Sequence, residues 1–253
     1  MCSKYIPLFL IPFLILSCDI SKKTSSYSKD IEFKVDSLMN LMTLEEKIGQ
    51  TVMYSGDWSV TGPTLSKENK KFIREGSMGA MLNVYTVEGT KKLQKIAVEE
   101  TRLGIPLLFG YDVIHGFKTI FPINLGLAAS WDIDDIQNGA RIAAEEASSA
   151  GIHWTFAPML DVSRDPRWGR ISESAGEDVY LTSEISKAYV KGFQGEDLSK
   201  DNTILACAKH FVGYGAAQAG RDYHTVSMGD NLYLLEQLHI QQNVLHRLKL
   251  YYY

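Results

Sequence analysis

The sequence predicts an α/β protein whose strands are parallel and buried on both faces. Short apolar runs without two-residue alternation, which are typical of such strands, occupy residues 78–85, 105–112, 152–160 and 204–215. Amphipathic stretches with helical spacing separate them, at residues 87–103, 132–150 and 178–195. This alternation indicates successive βα units.

The start of the body predicts two short helices. Apolar residues recur at roughly helical spacing over residues 30–52, with a break just before Thr43. Thr43 and Glu46 form a T-x-x-E capping-box pattern at the start of the second helix. Asp132 and Asp178 open the last two amphipathic stretches and can cap them in the same way.

The positions of the polar residues favour a TIM barrel over an open doubly wound sheet. Polar side chains follow the predicted strands at their carboxyl ends, namely Asn83, Asp112, Asp161 and the pair Lys209-His210. In a TIM barrel that end forms the active-site face. A nucleotide-binding sheet would carry G-x-G-x-x-G after its first strand, whereas "GYGAAQAG" (213–220) follows the last strand with the wrong spacing. We therefore predict a TIM-barrel-like domain.

Composition and charge exclude several classes. The 253 residues are 45% hydrophobic and 22% charged, which is ordinary for a globular protein with a large core. The formal net charge is −4 and no basic run exceeds two residues, so nucleic acid is not an expected partner.

The first eighteen residues, "MCSKYIPLFLIPFLILSC", are interpreted as an export signal. Their apolar run, from Ile6 to Leu16, is too short to span a bilayer comfortably. Its end resembles the lipobox of bacterial lipoproteins, in which a cysteine, here Cys18, is acylated and becomes the new N-terminus. The alternative is a plain signal peptide in which Cys18 is incidental. We expect an exported bacterial protein, periplasmic or anchored to the outer membrane, that meets the membrane only through this lipid.

Residues 19–30 are polar and rich in serine, and we interpret them as a tether. Beyond the leader the chain holds a single cysteine, Cys207, so no disulfide can form within the body. Packing must therefore stabilise the fold.

Two segments carry residues suited to ligand binding. Asp112 follows an apolar strand, and its carboxylate can accept two hydrogen bonds from neighbouring hydroxyls, although it could instead cap a short helix. Lys209 and His210 are adjacent at a strand end and so point to opposite faces, which places at least one of them towards a site. Both are donors that would complement Asp112 around a polyhydroxylated ligand. A hydrogen-bonded core histidine is the alternative for His210.

Four motifs in order resemble the N-terminal domain of glycoside hydrolase family three, especially its exported β-glucosidases. They are "FGYDVIHG" (109–116), "RDPRWGR" (164–170), "GED" (176–178) and "AKHFVGYG" (208–215). The resemblance runs from about residue 31 to about residue 228. It implies a TIM-barrel-like domain, usually followed by an α/β sandwich domain, and retaining hydrolysis of β-linked sugars.

The resemblance also implies roles for individual residues. The hydroxyls of the sugar before the cleaved bond would be bound by Asp112, Arg170, Lys209 and His210. Paired charges would hold the loop that carries Arg170, with Arg164, Asp165 and Arg167 within it and Glu173, Glu177 and Asp178 as counter-charges and the next helix start. Such a pocket needs no metal and no cofactor.

Specificity follows from the stretch "KHFVGYG". The β-N-acetylglucosaminidase branch usually has "KHFPGHG", with a histidine where this chain has Tyr214 and a proline where it has Val212. We therefore expect specificity for terminal β-D-glucosyl or β-xylosyl residues. The following "GRDYHT" (220–225) resembles the glucosidase type, in which an asparagine is commoner than His224.

The resemblance implies that both catalytic carboxylates lie beyond residue 253. The family nucleophile is an aspartate, often in "SDW", on a later strand, and the acid/base follows further on. "SGDW" (55–58) resembles that motif in letters but precedes the others, so we interpret Asp57 as a loop residue. We expect about the first half of a barrel, a divergent tail over residues 229–253, and an enzyme fragment that is inactive alone. The alternative is a non-catalytic sugar-binding or decayed lipoprotein.

Overall fold

A computed structural model of the chain describes residues 26–59, 62–64 and 67–232. The chain divides into two compact units, residues 1–42 and residues 43–253. In the first unit, helix α1 spans Ser26–Leu41, so the end of the predicted tether is helical. The leader with Cys18, the rest of the tether and most of the predicted divergent tail lie outside the described residues.

The second unit alternates strands and helices as predicted. Its helices are α2 (Leu44–Gln50), α3 (Lys67–Arg74), α4 (Val87–Glu99), α5 (Asn124–Ala128), α6 (Ile133–Ser149), α7 (Val179–Gln194) and the short α8 (Asp230–Leu232). Its strands are β1 (Met53–Ser55), β2 (Asp57–Ser59), β3 (Gly62–Thr64), β4 (Ala80–Leu82), β5 (Leu108–Tyr111) and β6 (Trp154–Thr155).

The main sheet is parallel and follows chain order, β1-β4-β5-β6. The segment 204–209 extends the sheet beyond β6, through parallel bridges from Trp154 to Leu205 and from Met159 to Lys209. Neighbouring strands are joined by helices, which is the succession of βα units found in a TIM barrel. This arrangement confirms the prediction of a TIM-barrel-like α/β fold.

Side-chain caps fix the helix starts that the sequence predicts. The Thr43 hydroxyl accepts from the Glu46 backbone N–H at 3.2 Å, while the Glu46 carboxylate accepts from the Thr43 N–H at 2.9 Å. Asp132 caps α6 and Asp178 caps α7, each carboxylate accepting from a backbone N–H three residues on. These contacts confirm the capping box and both aspartate caps.

One continuous apolar core lies among the sheet and helices α4, α6 and α7. Its fully buried members include Met81, Leu93, Phe109, Ile136 and Phe193. Cys207 is half-buried and free, as expected for the body's single cysteine. None of the described helices is both long enough and apolar enough to cross a membrane.

The structure corrects the expectation for Asp57. This residue begins β2, which pairs antiparallel with β3 in a small hairpin, so it is not a loop residue. The hairpin lies between β1 and α3 in chain order. A three-residue strand within "TVMYSG" offers too little periodicity to be recognised, which is why β1 itself was not predicted.

Candidate functional site

Polar side chains gather at one edge of the parallel sheet. Asn83 follows β4, Asp112 follows β5, Asp161 follows the β6 segment, and Lys209 and His210 end the last extended segment. Because parallel strands end at the same edge, these residues share one side of the sheet, as predicted.

Asp112 and Lys209 form an ion pair across this edge. The Lys209 Nζ lies 3.2 Å from Asp112 Oδ1, and the Asp112 side chain keeps 49% of its surface exposed. The first helix after Asp112 is α5, which begins at Asn124, so Asp112 caps no helix. Asp112 therefore offers carboxylate oxygens to a ligand, and Lys209 offers ammonium hydrogens.

Arg170 joins the same cluster through His210. Its guanidinium donates to Glu173 in a two-pronged pair, Nε to Oε1 at 2.7 Å and Nη2 to Oε2 at 2.6 Å. Its third nitrogen, Nη1, lies 3.4 Å from His210 Nε2. The pair raises the pKa of Arg170 and lowers the pKa of Glu173, because each charge stabilises the other. The structure thus brings together all four residues that the resemblance singled out.

The loop that carries Arg170 is anchored by a buried tryptophan. Trp168 is 1% exposed, and its indole Nε1 donates to Asp222 at 3.3 Å. Earlier in the loop, Arg167 pairs with Asp165 and holds the pKa of that carboxyl at about 2. The expected charge pairing within the loop is therefore present for these residues and for Arg170 with Glu173.

His210 is held from its other side by Asp161. The His210 Nδ1 lies 2.6 Å from Asp161 Oδ2, and the His210 backbone N–H donates to the same oxygen at 3.2 Å. The Asp161 side chain has no exposed surface. Sequence reasoning placed Asp161 at a strand end but missed this contact.

Tyr214 and Asp222 complete the cluster and were also missed as site residues. The Tyr214 ring meets His210 edge to face with centroids 4.7 Å apart, and the Arg170 Cζ lies 5.5 Å from the Tyr214 ring centroid. The Tyr214 hydroxyl donates to Asp222, which lowers the pKa of that carboxyl, whereas burial raises the pKa of Tyr214 to about 12. The signals in the sequence were the tyrosine of "GYG" and the aspartate of "GRDY", which the resemblance did not assign to sugar binding.

This arrangement suits a neutral ligand with many hydroxyls. Two cations, Lys209 and Arg170, lie among four carboxyl groups, so the cluster offers both donors and acceptors to hydroxyl groups and does not favour an anionic ligand. The described residues contain no group of three or more His, Cys, Asp or Glu side chains placed to hold a metal. Glu173 and Asp222, whose pKa values are lowered, act as hydrogen-bond acceptors rather than proton donors.

Comparisons with known proteins point to one family. The family model for the glycosyl hydrolase family 3 N-terminal domain matches residues 43–241, beyond the expected end of the resemblance near residue 228. A periplasmic β-glucosidase of Salmonella typhimurium is 44% identical over 195 residues, which cover 77% of this chain and 25% of that protein. A putative β-xylosidase of Formosa agariphila is 32% identical over 225 residues, covering 82% of this chain and 30% of that protein.

Solved structures agree with the sequence relatives. A mutant β-glucosidase from Listeria innocua, in complex with laminaribiose, superposes with a TM-score of 0.78 at 38% identity, covering 85% of this chain and 31% of that chain. An exo-1,3/1,4-β-glucanase from Pseudoalteromonas gives a TM-score of 0.74 at 29% identity, covering 85% and 37% respectively. The chain thus spans between 25% and 37% of the length of these relatives. Because the family model covers most of it, the chain belongs to glycoside hydrolase family 3, in the part that forms the N-terminal domain.

Proposed function

We propose that this chain supplies the sugar-binding side of a retaining β-glucosidase or β-xylosidase active site. The observation that carries the proposal is the paired contact at the sheet edge, Lys209 with Asp112 and Arg170 with His210. The names of the relatives, which are β-glucosidases and β-xylosidases, support the same substrate class.

Each side chain has a distinct role towards the sugar before the cleaved bond. Asp112 accepts hydrogen bonds from hydroxyl groups, and Lys209 donates to hydroxyl oxygens. Arg170 presents the nitrogen that Glu173 leaves free, so it reaches the ligand from a fixed orientation. His210 contributes the ring nitrogen that faces Arg170.

We propose that the two catalytic carboxylates are supplied by sequence beyond this chain. A retaining glycosidase needs a nucleophile and an acid/base roughly 5 Å apart, and the acid needs a raised pKa. The carboxylates at this edge are engaged by donors: Asp112 by Lys209, Asp161 by His210, and Glu173 by Arg170. The lowered pKa of Glu173 is opposite to what a proton donor requires.

Sugar binding tests the first part of this proposal. Glucose titrated into the purified chain, followed by NMR, should bind, and Asp112→Asn should weaken binding about tenfold or more, because a hydrogen bond to a charged group is lost. Asp165→Asn is the matched control, since Asp165 pairs with Arg167 in the loop and not with the strand-end residues. Equal weakening by both variants would contradict the assignment of Asp112.

Hydrolysis tests the second part. The chain should release no sugar from an aryl β-glucoside, whereas a version extended in frame through the remaining barrel and the second domain should release it. Hydrolysis by the chain alone that is abolished by Asp57→Ala would make Asp57 the nucleophile. Sugar binding without an in-frame continuation would favour the non-catalytic lipoprotein.

We infer that the protein is exported and anchored through acylated Cys18. The apolar leader supports this inference, and two relatives are named periplasmic enzymes. The lipid on an acylated Cys18 would tether a folded domain to a membrane surface. Mass spectrometry of the mature N-terminus tests this inference. An intact Met1, or cleavage beyond Cys18, would exclude the lipid anchor.

A further inference from the structure

The buried carboxylate of Asp161 defines the hydrogen on one nitrogen of His210. Its Oδ2 lies 3.2 Å from the His210 backbone nitrogen and 2.6 Å from Nδ1. A backbone N–H can only donate and an ionised carboxylate can only accept, so Oδ2 is an acceptor for both groups. Nδ1 must therefore carry a hydrogen.

Arg170 defines the other nitrogen independently. Its Nη1 lies 3.4 Å from His210 Nε2. A guanidinium has five donors, no acceptor and no accessible neutral form, so Nε2 must present its lone pair to it. A hydrogen on Nε2 would set donor against donor. Both neighbours thus require the tautomer with hydrogen on Nδ1.

We propose that Asp161 is a positioning residue that fixes the Nδ1–H tautomer of His210 and thereby makes Nε2 a hydrogen-bond acceptor at the sugar site. Asp161 is too deeply buried to meet a ligand, since its side chain has no exposed surface. Its second oxygen, Oδ1, is buried without a hydrogen-bond partner among the described residues. Burying a half-satisfied carboxylate costs stability, which favours a role at the site over a purely structural one.

The consequence for the ligand rests on the proposed function. The Nε2 atom has one lone pair, so a sugar hydroxyl that meets it takes the place of the Arg170 N–H. The hydroxyl then donates its hydrogen to the ring, and its oxygen can accept from the displaced Arg170 N–H or from Lys209. The other tautomer would reverse the direction of this bond. A fluorine in place of that hydroxyl can accept but cannot donate, so it would lose the contact with His210.

The chain contains its own comparison residue. The Nδ1 of His153 lies 3.1 Å from the backbone N–H of Phe109, which can only donate. The neutral His153 ring must therefore carry its hydrogen on Nε2, the opposite of His210. Burial lowers the pKa of His153, which keeps that ring neutral at pH 7.

NMR of the purified chain with ¹⁵N-labelled imidazole rings tests the tautomers without any sugar. Two-bond and three-bond nitrogen–hydrogen couplings distinguish the two forms, and the His210 signals are identified by their loss in His210→Gln. We expect His210 as Nδ1–H, in roughly tenfold or greater excess, as a hydrogen bond to a charged group allows. We expect His153 as Nε2–H.

Variants identify which neighbour sets the tautomer. Asp161→Leu in an Arg170→Met background removes both neighbours that require a hydrogen on Nδ1, so His210 should lose its excess of Nδ1–H, while an unchanged His153 reports that the fold is intact. Arg170→Met should leave His210 as Nδ1–H, because Asp161 remains. An Nε2–H ring in the unmodified chain overturns the proposal even if no variant folds, and so does an unchanged excess of Nδ1–H in the chain that carries both Asp161→Leu and Arg170→Met.

Monofluorinated glucoses then connect the tautomer to binding. In the unmodified chain, one of them should bind at least about tenfold more weakly than glucose, and His210→Ala should narrow that difference, because the acceptor that requires the hydrogen of the hydroxyl is then absent. The confirmed tautomer without any glucose binding would refute the proposed function and not the role of Asp161 towards His210. Glucose binding by a chain whose His210 carries its hydrogen on Nε2 would refute the role of Asp161 and not the proposed function.

Discussion

Gly192 on α7 is a position at which a single added methyl group should disturb the helix packing that supports the site. A Cβ built there would lie 2.5 Å from Ala140 Cβ and 2.5 Å from the Gln137 carbonyl oxygen, both on α6. Comfortable carbon–carbon contacts are about 3.5–4.0 Å, so the helices would have to separate by roughly 1 Å. This pair of helices follows β5 and β6 and sets where the loop before α7 begins.

The magnitude of Gly192→Ala is the difference between two effects. Overpacking a filled core costs about 1–3 kcal/mol, and the upper half applies here because backbone atoms of α6 cannot rotate away. Alanine gains about 1 kcal/mol in helix propensity over glycine. We therefore expect a net loss of about 1–2 kcal/mol in the free energy of unfolding, which lowers the melting temperature by roughly 2–8 °C for a protein of this size.

Gly139→Ala is the matched control because it makes the same change inside α6. A Cβ at Gly139 would lie 3.4 Å from the nearest atom of the Phe121 ring, which is ordinary contact. Without a clash, the propensity gain should stabilise the chain by up to about 1 kcal/mol. Thermal and urea unfolding followed by circular dichroism measure both variants. A Gly192→Ala chain as stable as the original, or equal losses in both variants, would refute the packing argument.

Three further predictions concern the loop, its ion pair and a helix cap. Trp168→Phe replaces the buried indole by a smaller ring and removes the donor to Asp222, so it should lower stability by about 2–3 kcal/mol and move the Asp222 titration upward in NMR. Glu173 has a lowered folded-state pKa, so its stabilisation is present above its ordinary value of 4.5 and is lost as pH falls through the folded value. Glu173→Gln should therefore reduce the loss of stability as the pH falls, measured by urea unfolding at a series of pH values. Thr43→Ala should cost about 1 kcal/mol in urea unfolding, whereas Thr43→Ser should retain the cap.

Local signals in the sequence explain why much of the fold could be predicted. A capping side chain and the backbone N–H it accepts from are three residues apart, so Thr43, Asp132 and Asp178 mark helix starts directly. Strand ends were also predictable, because parallel strands place their carboxyl ends at one edge whatever the loops between them do. That rule alone brings Asp112 and Lys209 to the same side of the sheet.

Contacts between distant loops could not be predicted from the same signals. Trp168 and Asp222 are 54 residues apart, and Asp161 and His210 are 49 apart. No periodicity relates such positions, since their meeting depends on how far each loop reaches beyond its strand. Very short strands could not be predicted for a related reason. Strand β1 and the hairpin of β2 and β3 each pair only three residues, which are too few to show a repeating pattern in the sequence.

In the proposed sugar site, the ion pair of Arg170 would allow a cluster of charges to hold a neutral ligand. An unpaired arginine would have to lose bound water and side-chain freedom when a sugar arrives, and both losses would weaken binding. Glu173 already holds the guanidinium in one orientation and the Tyr214 ring lies against it, so these costs are met during folding. The remaining nitrogen then meets a hydroxyl as a fixed donor. Lys209 is enclosed as well, since its side chain keeps 16% of its surface exposed, whereas the Asp112 side chain that it pairs with keeps 49%. In the proposed site, Arg170 and Lys209 are therefore donors whose positions are set by folding, and the more exposed Asp112 carboxylate is the group with room to adjust to a ligand.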